Sequence, residues 1–345
     1  MQKLLRGIAH LSGLRDRQVM DLTLVTLIGQ SELWQFDVVR LLRAAGPQGD
    51  QHWVTLGQWD RQHTAPQRDA FWFDLSTLPR LEDFAHREAA VVTESVIRTG
   101  NGPYTTLFPI DTQASVCSVL EVESDATVST STEALVDSIL HLYENLQGLL
   151  DYGERDSLTD LLNRKTFDTA FLRAAQAQNE QPVLDGPDRR SQQAHASYWL
   201  AVMDIDHFKQ VNDNFGHLIG DEVLLLLARL MRASYRFHDQ LYRFGGEEFV
   251  VLMRATSHDN ALGALERFRR QVEQHAFPQV GRITISIGFA PLRADDTPTG
   301  AFDRADKAVY YAKSHGRNRI CSFSTLVTSG ELLEQSGDLQ DVDFF

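Results

Sequence analysis

Leu241-Tyr242-Arg243-Phe244-Gly245-Gly246-Glu247-Glu248-Phe249-Val250-Val251-Leu252-Met253 places two apolar runs around paired glycines and paired acids. Leu241–Phe244 and Phe249–Met253 suit two strands, with Gly245-Gly246-Glu247-Glu248 connecting them. Glycine adopts turn conformations closed to bulkier residues and lets a phosphate approach the backbone closely. Alone, these residues describe a tight hairpin carrying two solvated glutamates. The segment upstream changes that reading. Tyr198–Met203 is an apolar run expected to form a buried central strand. It ends at Asp204, where α/β sheets place their ligands.

Mg²⁺ prefers hard oxygen ligands and commonly takes one or two carboxylates together with phosphate oxygens. Asp204 and the acidic pair beginning at Glu247 supply such ligands if their strands are neighbours. The alternative for Asp204 is a turn or cap residue. Arg243 either positions the hairpin or faces a ligand, and Asp206 is given no role.

Further motifs follow this core. Asp156-Ser157-Leu158-Thr159-Asp160-Leu161-Leu162-Asn163-Arg164 is close to D-x-L-T-G-L-x-N-R, with Asp160 in the glycine position. Asp is among the few residues that tolerate a positive φ there. Lys313-Ser314-His315-Gly316-Arg317-Asn318 matches K-x-x-G-R-N. With these motifs, residues 155–323 resemble the GGDEF family of diguanylate cyclases. That resemblance implies an α/β (α+β) nucleotidyl-cyclase-like domain whose central, mainly antiparallel sheet is flanked by helices. It implies metal coordination by Asp204, the Ile205 carbonyl oxygen and Glu247, with Glu248 joining a second ion, hence two Mg²⁺ (or Mn²⁺) per site. Glu247 is the implied proton acceptor. Substrate contacts fall on Phe208, Lys209, Gly245, Gly246, Lys313 and Arg317, with Asn212, His217 and Asp221 at guanine. Guanine's adjacent N1–H and N2–H donors suit an ionised Asp221, whereas adenine N1 is an acceptor. The alternative for Asp221 is a cap on a helix over Val223–Met231.

The reaction implied is condensation of two GTP molecules into cyclic di-GMP with release of pyrophosphate, across a homodimer. Arg236-Phe237-His238-Asp239 matches the family's product-inhibition motif, so Arg236 and Asp239 form an expected inhibitory site for cyclic di-GMP; an i,i+3 surface ion pair is the alternative. A rival reading is a catalytically inactive receptor of GTP or cyclic di-GMP, but such a chain should have lost its acidic hairpin. A cyclase acting on ATP is disfavoured by Asp221, and no Walker-type loop occurs.

The 345 residues have room for two domains. A net charge of -14, from 33 basic and 47 acidic side chains, argues against sequence-independent nucleic-acid binding. It leaves nucleotides open, because divalent cations offset the repulsion. Two cysteines, Cys117 and Cys321, give no disulfide framework and point to a reducing compartment. Apolar runs such as Val223–Ala228 fall short of the roughly 20 residues a membrane span needs. No signal-peptide core is visible behind Lys3 and Arg6, so a soluble cytoplasmic protein is expected.

Residues 1–131 read as helices over Leu4–Leu14 and Val19–Ser31, and strands over Phe36–Arg43 and His52–Trp59 around the turn-forming residues 46–50. A helix over Glu88–Arg98, an extended Tyr104–Pro109 and a strand over Ser115–Glu123 follow. This order resembles a GAF-type sensory domain. Its ligand is unidentified; His10, His52, His63 and His86 lack metal-ligand spacing, and Cys117 suits a core position. Residues 132–154 form the expected helical connector, with Leu135, Ile139, Leu142, Leu146 and Leu149 at the spacing of a dimer seam. Packing of that helix on its own domain is the alternative. The cyclase-like domain takes residues 155–325, with a polar inserted loop over 176–197, and residues 326–345 form an acidic tail ending in Phe344-Phe345.

Overall fold

Two units divide the chain, Met1–Gly153 and Glu154–Phe345. A computed structural model describes residues 2–46, 49–63, 65–69, 75–100, 103–111, 118–179, 197–236 and 238–333. Pro47 and Gln48 of the expected turn, Cys117, and residues 180–196 of the expected loop lie outside the described residues. So do residues 334–345, including Phe344 and Phe345.

The first unit begins with α1 (Gln2–Gly13) and α2 (Arg17–Gly29), the latter capped by Asp16, whose carboxylate accepts the N–H groups of Gln18 and Val19. β1 (Val38–Ala45), β2 (His52–Asp60), α3 (Ala85–Thr93), β3 (Ile97–Thr99), β4 (Tyr104–Ile110), β5 (Ser118–Ser124) and α4 (Thr130–Glu154) follow. The strands form an antiparallel sheet in the order β2-β1-β5-β4-β3. Alternation along the strands feeds two cores. Val39, Leu41, Leu120 and Val122 pack with Leu24 and Ile28 of α2 and with Val136, Ile139, Leu140 and Tyr143 of α4. Leu42, Ala44, Trp53 and Val119 pack with Ala90 of α3.

Two expectations need correction here. The helix expected over Glu88–Arg98 stops at Thr93, because Glu94 takes the left-handed conformation at φ 49°, and Ile97 pairs with Leu107 as an edge strand. The α4 helix packs on its own unit; Leu135 and Leu146 join Ile139 against that core, whereas Leu149 remains 68% exposed. Much of the expected seam is therefore engaged within the unit.

In the second unit, β6 (Leu162–Asn163) and α5 (Arg164–Asn179) precede β7 (Ser197–Ile205), α6 (Phe208–Phe215) and α7 (His217–Ser234). Then come β8 (Gln240–Gly245), β9 (Glu248–Ala255), α8 (His258–Gln274), β10 (Ile285–Pro291), α9 (Pro298–Ser314), β11 (Ile320–Ser322) and α10 (Phe323–Thr328). The sheet order is β11-β10-β7-β9-β8-β6, antiparallel from β10 through β8 and parallel at both edges. β7 is buried without a break from Tyr198 to Ile205, as expected of a strand covered on both faces. Trp199, Ala201, Met203 and Ile205 pack in one core with Leu224 and Leu227 of α7 and Leu265 and Phe268 of α8.

α9 lies against β10 at Gly288. A Cβ there would stand 2.1 Å from the Ala305 carbonyl oxygen and 2.3 Å from the Val309 nitrogen, so only glycine permits the approach. The expected tail at 326 starts too early: Leu326 of α10 is buried with Ala290, Ala308, Ala312 and Phe323. Among the described residues no helix is long and apolar enough to cross a membrane.

Candidate active site

The central strand and the hairpin bring their acids together through direct strand pairing. β7 and β9 are antiparallel neighbours, with Asp204 opposite Glu248. Gly245 (φ 144°) and Gly246 (φ 53°) form the turn ahead of Glu248, and Glu247 stands between. Arg243 holds this turn from behind. Its Nε and Nη2 donate to the Gly246 carbonyl oxygen at 3.2 and 2.9 Å, while Nη1 donates to Asp156 Oδ1 at 2.9 Å. Arg243 thus positions the hairpin. Burial raises the pKa of Asp156, but bonds from Thr159 and Arg243 outweigh it and hold the carboxyl below its usual value. Asp160 has φ 57°, the left-handed conformation for which a glycine would serve.

The acids are electrostatically strained. Burial pushes Asp204 up, opposed by the Lys313 ammonium 2.7 Å from its Oδ2. Burial and the Asp204 charge likewise push up Glu247 and Glu248. Asp204 Oδ1 is buried without a hydrogen-bond partner. Hard oxygens with too little positive charge among them fit a divalent cation. Among the described residues, however, no three His, Cys, Asp or Glu side chains meet closely enough to hold a metal by themselves. Backbone oxygen from Ile205 and phosphate oxygens would have to complete the ligand set.

Of the remaining expected residues, only Lys313 is in contact with the acids; the others lie on α6, on α7 and in the turn after α9. Phe208 opens α6 and buries its ring in the core, which leaves its backbone, not its side chain, for a ligand; Lys209 beside it is exposed. Asn212 lies in α6, and its Oδ1 stands 2.0 Å from where a Gly220 side chain would begin, so Gly220 lets α6 and α7 meet. His217 starts α7 and is exposed. Asp221 is exposed one turn further along, inside the helix, which overturns the cap alternative. Lys313 ends α9, and Arg317 is exposed in the turn that follows, at φ 59°.

Away from this cluster, Arg236 is exposed whereas the Asp239 side chain is buried. The Asp239 carboxylate folds the local turn by accepting the Arg236 N–H at 2.8 Å. Phe237 lies outside the described residues.

Two further residues act on the acids: Asp306, which no sequence motif marks, and Arg164, which ends the Asp156–Arg164 motif but was assigned no role. Asp306 of α9 raises Glu248 further and is itself raised by burial; Arg164 of α5 opposes it at Glu248. The only signal for Asp306 was its place seven residues, two helical turns, before Lys313.

Residues 154–319 match the family described as "Diguanylate cyclase, GGDEF domain". The chain is 34% identical over 206 residues to "Diguanylate cyclase DgcP" of Pseudomonas aeruginosa, covering 58% of this chain and 29% of that protein. It is 38% identical over 168 residues to "Diguanylate cyclase DgcM" of Escherichia coli, covering 49% and 38%. Among solved structures, it is similar to the coiled coil and GGDEF domain of DgcB from Caulobacter crescentus in complex with c-di-GMP. There the identity is 30%, the coverage 56% of this chain and 100% of that one, and the TM-score 0.47. The chain spans less than two thirds of the length of these curated relatives.

Proposed function

We propose, from the premise that residues 154–319 belong to the GGDEF family, that this protein condenses two GTP molecules into cyclic di-GMP and two pyrophosphates. The observation that carries the reading is the acidic cluster itself: Asp204 across from Glu248, Glu247 on the adjoining turn, and Lys313 2.7 Å from Asp204.

Asp204, the Ile205 carbonyl oxygen and Glu247 would hold Mg²⁺ or Mn²⁺, with Glu248 at a second ion, which would neutralise phosphate charge and lower the pKa of the attacking hydroxyl. Gly245 and Gly246 leave room for phosphates against the turn, and the Phe208 backbone with Lys209, Lys313 and Arg317 supplies their donors. Asn212, His217 and Asp221 take the guanine. Glu247 accepts the 3′-hydroxyl proton; burial and the Asp204 charge disfavour its ionised form, which makes it the stronger base. The 3′-oxygen of one GTP bonds to the α-phosphorus of the other as the bond to pyrophosphate breaks, and the reciprocal attack closes the ring.

One domain holds one GTP in this scheme, so the working form is a homodimer. The first unit acts as a GAF-like sensor. In support, it has a five-stranded antiparallel sheet between helices and a largely apolar cavity of about 530 Å³ between α1 and α2. That volume suits a drug-sized molecule. Leu149 and Tyr152, exposed at the end of α4, offer a contact between copies. Cyclic di-GMP inhibits through Arg236 and Asp239, and Arg236→Ala should abolish product inhibition. We place the protein in the cytoplasm, where GTP is supplied.

Purified protein with GTP and Mg²⁺ should yield cyclic di-GMP and pyrophosphate in a ratio of one to two. Retention of intact GTP without either product would favour the receptor reading. Equal use of ATP would overturn the assignment at Asp221.

A further inference from the structure

Asp206 takes no part in the scheme above, yet its carboxylate is buried and fully engaged. Oδ1 accepts the Ser286 hydroxyl at 2.7 Å; Oδ2 accepts the Thr284 hydroxyl at 2.6 Å and the Asn318 backbone N–H at 2.9 Å. The last bond reaches 112 residues along the chain to the turn that follows α9.

That turn is costly to hold. Gly316, Arg317 and Asn318 have φ of 107°, 59° and 46°, so two consecutive residues with side chains sit in the left-handed region. Each such residue is strained unless its surroundings enforce it. On one side the Arg317 N–H donates to the Ala312 carbonyl oxygen at 2.9 Å, closing the end of α9. On the other, Asp206 takes the Asn318 N–H. The Asn318 side chain is held from outside, accepting from Arg269 Nη1 at 2.5 Å and donating to Glu273 Oε1 at 2.7 Å, both on α8. Arg317 lies between these fixed points. Its own side chain remains exposed.

We propose that Asp206 is a positioning residue that fixes the left-handed turn and so aims Arg317 at the nucleotide phosphates. The two carboxylates at the end of β7 then divide the work: Asp204 faces the charge cluster, and Asp206 sets the geometry of a cationic phosphate ligand. This rests on the reading of Arg317 as a phosphate contact.

Full-length protein should be titrated calorimetrically with 3′-deoxyguanosine triphosphate and Mg²⁺, a substrate analogue without the attacking hydroxyl. Arg317→Ala should weaken binding by roughly tenfold or more, since it removes a charge-assisted hydrogen bond to phosphate. Asp206→Ala should weaken it by roughly tenfold as well, about 1.4 kcal/mol. The double variant should bind no more weakly than the weaker single one, because a mispositioned arginine and an absent one are equivalent. Ser286→Ala, which removes another donor to Asp206 without touching the turn, should leave affinity within about twofold, the scatter of independent sites.

Multiplying effects in the double variant, or wild-type affinity in Asp206→Ala, would overturn the positioning role while leaving the nucleotide site standing. Wild-type affinity in Arg317→Ala would instead overturn the phosphate reading. If the alanine variant does not fold, Asp206→Asn carries the same cycle. It keeps one acceptor oxygen but not the charge, so a roughly fivefold loss is expected with Arg317 present and none in its absence. A fivefold loss in both backgrounds would overturn the proposal.

Discussion

Replacing Asp21 by Asn should stabilise the first unit at neutral pH, against the intuition that a buried, hydrogen-bonded aspartate is an asset. Asp21 of α2 is 5% exposed. Tyr143 donates to its Oδ1 at 2.5 Å and Gln147 at 3.2 Å, both from α4. Burial dominates, and although Tyr143, Arg43 and Arg17 favour the charge, the carboxyl is pushed up to about 6 from 3.8. A folded value above the unfolded one means that the folded unit prefers the protonated form. The stability this confers is complete below the unfolded value and is lost as pH rises through about 6. At about 1.4 kcal/mol per tenfold change in proton affinity, ionisation costs the fold about 3 kcal/mol, and roughly half of that falls between pH 5 and 8. Asn keeps the oxygen that Tyr143 and Gln147 use and does not titrate. The variant should therefore gain on the wild type by roughly 1–2 kcal/mol from pH 5 to pH 8, or about 2–8 °C in Tm for a unit of this size. Trp34, Trp53, Trp59 and Trp72, four of the five tryptophans, belong to residues 1–153, so tryptophan fluorescence during thermal unfolding reads mainly this unit. A difference that stays flat with pH, or shrinks as pH rises, would refute the argument and make the attraction of Arg43 and Arg17 the larger effect.

Other substitutions test the second unit. Gly288→Ala would drive a methyl group into the backbone of α9 and should cost about 1–3 kcal/mol or more in urea unfolding; because α9 carries Lys313, activity should fall with it. Asp160→Gly should be neutral or stabilising by up to about 1 kcal/mol, since it relieves a left-handed φ of 57° and loses only exposed 3.5 Å contacts to Arg155 and Arg232. A loss above that size would mean those contacts matter. Glu247→Gln should lower cyclic di-GMP output by about 10²-fold or more in a product assay. The same change should not lower Tm at pH 7, because burial and Asp204 already disfavour the Glu247 charge.

The heart of the site was legible because it is built from local patterns. An apolar run ending in Asp204 and a Gly-Gly turn before two glutamates each announce a strand end, and direct pairing of β7 with β9 brings the ends together. What escaped reading is long-range or depends on a single backbone angle. The partners of Asp206 lie 78, 80 and 112 residues away, so nothing near it in the chain hints at them. Glu94 ends α3 by turning left-handed, a choice no apolar spacing records. Asp221 looked like a cap because Val223–Met231 is the visibly apolar stretch, yet α7 starts at His217, a turn earlier, where Gly220 lets it meet Asn212 of α6. The seam residues of α4 have the right period, but a period does not say whether the partner is another copy or the helix's own sheet.

The Arg243 fork gives the second unit a short mechanical linkage. One of its arms grips Asp156, two residues into the unit, and the other two grip the carbonyl at the crest of the hairpin. One rigid planar group thus ties the start of the second unit to the carbonyl next to the glutamates, across 87 residues of sequence. A lysine, with a single flexible ammonium, could not hold both ends at once.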